Sequence, residues 1–150
     1  MKYIIAIDPG PKTSGIVMWD GSAVYINPEI SNPEMLSWLR QGTWVNSWVV
    51  AIEMIACYGM PVGAETFETC LIIGRIQEIC KSTRIELIYR KEVKMHLCGS
   101  MKAKDANIRK ALIDKLGEVG IKKNPGPLYG ISGHSWSALA IAITCAETKS

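Results

Sequence analysis

The chain has no apolar run that reaches the roughly 18 residues needed for a helix to cross a bilayer, so no membrane partner is expected. Its opening, Met1-Lys2-Tyr3-Ile4, has neither an apolar leader core nor a cleavage pattern, and a secretory leader is not expected. The five cysteines, Cys57, Cys70, Cys80, Cys98 and Cys145, are odd in number and contain no Cys-x-x-Cys pair. That argues against a zinc knuckle or a disulfide framework and predicts reduced thiols, mostly in the core, in a cytoplasmic protein. A large charge imbalance is missing too. The net charge of +3 is too small to argue for nucleic-acid binding by itself, so local clustering must carry that argument. No internal repeat and no linker interrupt the 150 residues, and one domain spanning 1–150 with a single sizeable core is expected.

What is present reads as α/β. Residues 3–8 form an apolar, β-branched run, which Pro9-Gly10-Pro11 ends. Gly15 to Trp19 follows as a hairpin partner, and the Asp20-Gly21 turn signal leads to a third strand over 23–26. Helix is expected over 33–39. Trp44 to Glu53 leads into a fourth strand, and 60–63 is loop. From Ala64 to Cys80, Phe67, Leu71, Ile72, Gly74, Ile76 and Ile79 recur at helical spacing. A fifth strand is expected at 85–89, helices at 91–97 and 103–116, loop at 124–127 and a last helix at 135–147. Antiparallel strands followed by alternating helix and strand predict one mixed five-stranded sheet flanked by helices.

Two of these strands end on a carboxylate: Ile4-Ile5-Ala6-Ile7 on Asp8, and Val49-Val50-Ala51-Ile52 on Glu53. An acid inside a sheet is costly unless its charge is compensated. A hard divalent cation such as Mg²⁺, which takes oxygen ligands, is an economical compensation. The pair therefore points to metal-assisted chemistry on a phosphate-bearing substrate. The bland alternatives are a turn-forming Asp8 and a solvent-facing Glu53 at a strand edge.

A second cluster is basic. Arg90, Lys91, Lys94, Lys102, Lys104, Arg109 and Lys110 lie within two predicted helical segments with few acids among them. They make either a solvated face or a surface for phosphates, with Lys91, Lys94, Lys102, Lys104 and Arg109 as DNA-binding candidates. Gly99-Ser100 between the two segments could turn N–H groups to a phosphate. Arg75, on the long helix after Glu53, is a further DNA-binding candidate, and Tyr58 is either a base-stacking loop aromatic or a buried anchor.

Three segments in order carry a family resemblance: Ile7-Asp8-Pro9-Gly10 followed by Ser14-Gly15, then Ala51-Ile52-Glu53, then His134 with Ser137-Ala138-Leu139-Ala140-Ile141-Ala142. The chain resembles the RuvC-type Holliday junction resolvases over nearly its whole length, above all their small bacteriophage members. The resemblance implies a ribonuclease H-like fold and a homodimer in the cytoplasm of the host cell. It also implies cleavage of Holliday junctions or other branched DNA by two-metal phosphodiester hydrolysis, with Mg²⁺ as cofactor and Mn²⁺ as the alternative. It implies that Asp8 and Glu53 hold metal, and that the last helix adds ligands three residues apart, at His134 and Ser137. His134 is thus expected as a ligand or as a proton-handling group. Many relatives have a carboxylate at both helix positions. Ser137 removes one negative charge, which leaves a non-catalytic binder of branched DNA as the rival, and Asp105 is a candidate replacement acid. An actin-like nucleotide-binding protein also begins with an acidic strand turn, but this chain is too short for its two lobes.

Overall fold

The computed structural model describes residues 3–42 and 48–149. Five strands form one sheet in the order β3-β2-β1-β4-β5. They are β1 (Tyr3–Asp8), β2 (Thr13–Trp19), β3 (Ala23–Ser31), β4 (Trp48–Met54) and β5 (Arg84–Tyr89). The first three form an antiparallel meander, and β1, β4 and β5 run parallel to one another. β1 lies at the centre because it is apolar on both faces: Ile4, Ile5, Ala6 and Ile7 are all fully buried.

Side chains alternate along the strands, so each face receives its own core. Ile5 and Ile7 pack with Val50 and Ile52 under α1 (Asn32–Arg40) and α2 (Ala64–Ile79). Ile4 and Ala6 pack with Val49 and Ala51 under α3 (Arg90–Cys98), α4 (Asp105–Leu116) and α5 (His134–Thr148). Every residue from Ala138 to Cys145 of α5 is buried, as an all-round apolar helix must be. Ala138, Ala140 and Ala142 are all buried in this packing.

Local chemistry sets the ends of the elements. Ser31 accepts the Glu34 N–H at 3.3 Å and Pro33 occupies the first turn, which starts α1. Glu92 reaches back to accept the Tyr89 N–H at 2.9 Å and starts α3. Asn107 accepts the Lys104 N–H at 2.9 Å and starts α4.

Several expectations shift. β3 extends to Ser31, well beyond residue 26. Pro28, a strand breaker in sequence, is tolerated because β3 is an edge strand and the ladder is irregular there. A two-residue ladder, β6 (Gly120–Ile121) with β7 (Asn124–Pro125), stands where part of a loop was expected. Of the expected core face of α2, Ile72 and Ile76 are buried, but Phe67 and Leu71 are 63% and 65% exposed. Ile73 and Thr69 take the inward positions instead. Two thiols also leave the core: Cys57 and Cys70 are exposed, whereas Cys80 and Cys145 are buried. Burial pushes the Cys80 thiol up to about 11. The expected segment Trp44–Ser47 lies outside the described residues. No helix among the described residues is long and apolar enough to cross a membrane.

Candidate active site

Three neighbouring parallel strands deliver chemistry to one end of the sheet. Ile7 pairs with Ile52 in register, so the residues that follow, Asp8 and Glu53, come side by side on the face that carries α5. The third strand, β5, ends at Tyr89, and Arg90 follows at once as the first residue of α3. This is the carboxyl end of the parallel strands, where open α/β sheets gather their ligands.

Asp8 is buried, and the Glu53 side chain is 15% exposed. Burial disfavours ionisation of both and raises both carboxyls. The two groups adjoin, and Glu53 is pushed up to about 8. Burial is the main cause; the hydrogen bond to Asp8 and the Asp8 charge add to it, and Arg90 opposes it. A carboxylate pair that retains a proton near neutral pH lacks positive charge.

His134, the first residue of α5, places Nδ1 3.0 Å from Asp8 Oδ2. In the tautomer that donates Nδ1–H to Asp8, Nε2 carries the lone pair. The ring is half-exposed, so Nε2 can meet a substrate or solvent. Gly15 makes this placement possible. It pairs with Asp8 across the β1–β2 ladder, and a Cβ there would lie 2.6 Å from the His134 carbonyl carbon. Asn32 fixes the loop after Asp8: its side chain accepts from Ser14 Oγ at 2.7 Å and donates to the Gly10 carbonyl at 2.9 Å.

Arg90, which sequence reasoning placed only in the basic run, lies at the centre of the site. Its Nη1 donates to Glu53 Oε1 at 3.3 Å and lies 3.5 Å from Ser137 Oγ, and its Nη2 is ion-paired with Asp105. Asp105, the candidate replacement acid, is the first residue of α4 and borders the same cleft. That cleft, of about 800 Å³, is lined by Asp8, Glu53, Arg90, Asp105, His134 and Ser137, with Lys91 and Lys94 further along it.

The other basic candidates divide. The Lys91 ammonium lies 5.9 Å above the ring of Tyr58. Tyr58 is 64% exposed with a positive φ of 49°, which excludes the buried-anchor alternative. Arg109 stacks on Trp136 at 5.6 Å and borders a smaller hollow shared with Arg90, Asp105 and His134. Lys102 and Lys104 are exposed just before α4. Arg75 is not brought to the cleft; it lines a separate hollow with Lys12 and Arg40. The Gly99 N–H does not face outward for a phosphate, because it closes α3 on the Met95 carbonyl at 3.0 Å.

Among the described residues, no group of three or more histidine, cysteine, aspartate and glutamate side chains is arranged as a ready cation cage. The donors at the cleft nevertheless fit a hard divalent ion: two adjoining carboxylates short of positive charge, a free imidazole nitrogen and a hydroxyl.

The strand order, with a central β1 between an antiparallel meander and a parallel pair, defines a ribonuclease H-like α/β fold, the arrangement of RuvC. A Thermus thermophilus RuvC structure is similar at a TM-score of 0.68 and 18% identity, over 96% of this chain and 93% of that one. T. thermophilus RuvC in complex with a Holliday junction substrate is similar at a TM-score of 0.70 and 18% identity, over 97% and 93%. No protein-family model and no curated protein sequence matches the chain.

Proposed function

We propose that the protein is a divalent-metal-dependent endonuclease that cuts Holliday junctions or other branched DNA. The observation that carries this reading is the buried, adjoining Asp8–Glu53 pair at the carboxyl ends of adjacent parallel strands on a RuvC fold. Asp8 and Glu53 would hold Mg²⁺ or Mn²⁺, with the His134 imidazole and the Ser137 hydroxyl beside them. When bound, the ion supplies positive charge at the phosphate and acidifies water. His134, held by Asp8 through Nδ1, presents Nε2 to take a proton from the attacking water. The water oxygen then bonds to phosphorus, one ester P–O bond breaks, and the departing oxygen is protonated by solvent. Lys91 and Lys94 along the cleft, with Lys102, Lys104 and Arg109 beyond it, would hold the DNA backbone without reading its sequence. The bare side chains of Phe67 and Leu71 on α2 favour a homodimer, whose two-fold axis would set two such sites on opposite strands.

A second reading, a branched-DNA binder that does not cut, is favoured by one observation: Ser137 contributes no charge and lies against Arg90. Nicking of a synthetic four-way junction, with and without Mg²⁺, separates the two. Metal-dependent nicking that disappears in Asp8→Asn and Glu53→Gln, with junction binding retained, is the expected result. Full nicking by either variant refutes the site, and binding without nicking by the unmodified protein selects the second reading.

A further inference from the structure

We propose that Arg90 is a built-in cation of the active site, and that this chain therefore binds one divalent ion there and not two. The proposal rests on the reading of the cleft as a metal-dependent nuclease site. It replaces the two-ion arrangement that the resemblance implied.

The geometry divides the cleft into two ends. At one end, the Arg90 guanidinium joins Glu53, Asp105 and the Ser137 hydroxyl. These are the oxygens that a second hard cation would need. At the other end, Asp8 contacts Glu53 and His134, with one imidazole nitrogen free and the cleft open beside it. Glu53 is the member common to both ends.

The charges support the division. Asp8, Glu53 and Asp105 carry three negative charges when ionised, and Arg90 cancels one. The remaining two match one divalent ion. Lys91, Lys94 and Glu65 border the cleft as well, but the carboxylates in contact with Arg90 or with each other are these three. A second ion would add two positive charges beside a guanidinium, and among the described residues no carboxylate beyond Glu53 and Asp105 is in contact with it to offset them.

The placement of Arg90 is also not that of a generic surface arginine. It is the first residue of α3, where the positive end of the helix dipole disfavours a cation. The carboxylates of Glu53 and Asp105 offset that penalty, and they come from β4 and α4, far away in sequence. A planar, always-charged guanidinium holds two or three oxygens in fixed directions. In a phosphodiesterase site it can then face a phosphate oxygen, as a second cation would.

The test counts ions on the protein without DNA, by electron paramagnetic resonance of free Mn²⁺ during titration, so the readout does not depend on cleavage. The unmodified protein is expected to bind one Mn²⁺ per chain in the cleft, and Arg90→Lys, which keeps the charge, also one. Arg90→Gln, which removes it, is expected to bind two. Glu53→Gln should lose the ion in every background. Circular dichroism verifies that each variant is folded, and the count on the unmodified protein needs no variant. Two ions on the unmodified protein, none on it, or one on folded Arg90→Gln overturns the proposal. Junction nicking is measured in parallel. One ion bound without any nicking sinks the nuclease reading and leaves the ion count standing, whereas two ions bound with nicking sinks the proposal alone.

Discussion

Glu53 supplies the most direct test of the site's electrostatics, because it can be read as folding stability in the absence of metal and DNA. Its carboxyl ordinarily loses its proton at 4.5, and in the folded protein it is held up to about 8. A group whose value is raised on folding binds more protons in the native state between those two values. Its contribution is complete below about 4.5 and is lost as the pH rises through 8. At about 1.4 kcal/mol per pH unit the whole gap corresponds to roughly 5 kcal/mol. The cleft is open to water, which relaxes around the charge, so a loss of about 2–5 kcal/mol between pH 5 and 9 is expected. Asp8 is raised as well, mainly by burial, and acts in the same direction. Urea unfolding in the presence of a chelator, at pH steps from 5 to 9, measures the slope. Glu53→Gln, which is of equal size and does not titrate, should flatten that slope and be the more stable protein at pH 9. Saturating Mn²⁺ should flatten it for the unmodified protein, since an ion replaces the proton. Equal slopes for the unmodified protein and Glu53→Gln in chelator would refute the account of a buried, charge-starved pair.

Two further outcomes follow from other parts of the structure. Changing Lys102, Lys104 and Arg109 together to Ala should weaken junction binding regardless of sequence and reduce the slope of log K against log salt by about 2–3, because about 0.9 counterions are released per duplex phosphate contacted; an unchanged slope would make them a solvated face. Gly15→Ala should push the start of α5 away from β2, since its Cβ would fall 2.6–2.8 Å from His134 atoms. It should cost about 1–3 kcal/mol in unfolding measurements and slow nicking through the displaced imidazole, and normal stability with normal nicking would show that the close approach is unimportant.

The sequence by itself determined much of the local structure. Apolar β-branched runs marked β1 and the end of β4 closely, because a strand buried on both faces must be apolar throughout. The same runs made Asp8 and Glu53 conspicuous, since a carboxylate at the tip of such a strand needs compensation. The order of the three short motifs was enough to imply the fold. Other features had no local signal. That β1 and β4 are parallel neighbours, with Ile7 beside Ile52, is a pairing across 45 positions, and only the sheet brings the two carboxylates together. Phe67 and Leu71 have the spacing of a buried face but point outward, because periodicity identifies an apolar stripe without identifying what covers it. Gly15 is small because a helix entered 119 positions later lies against it. Arg90 stood in a basic run that reads as a solvated or phosphate-facing surface. The tertiary structure instead turns it onto Glu53 and Asp105, 37 positions before it and 15 after it. Charge patterns along a chain report composition, whereas the partner of each charge is set by which strand and helix ends the fold brings together.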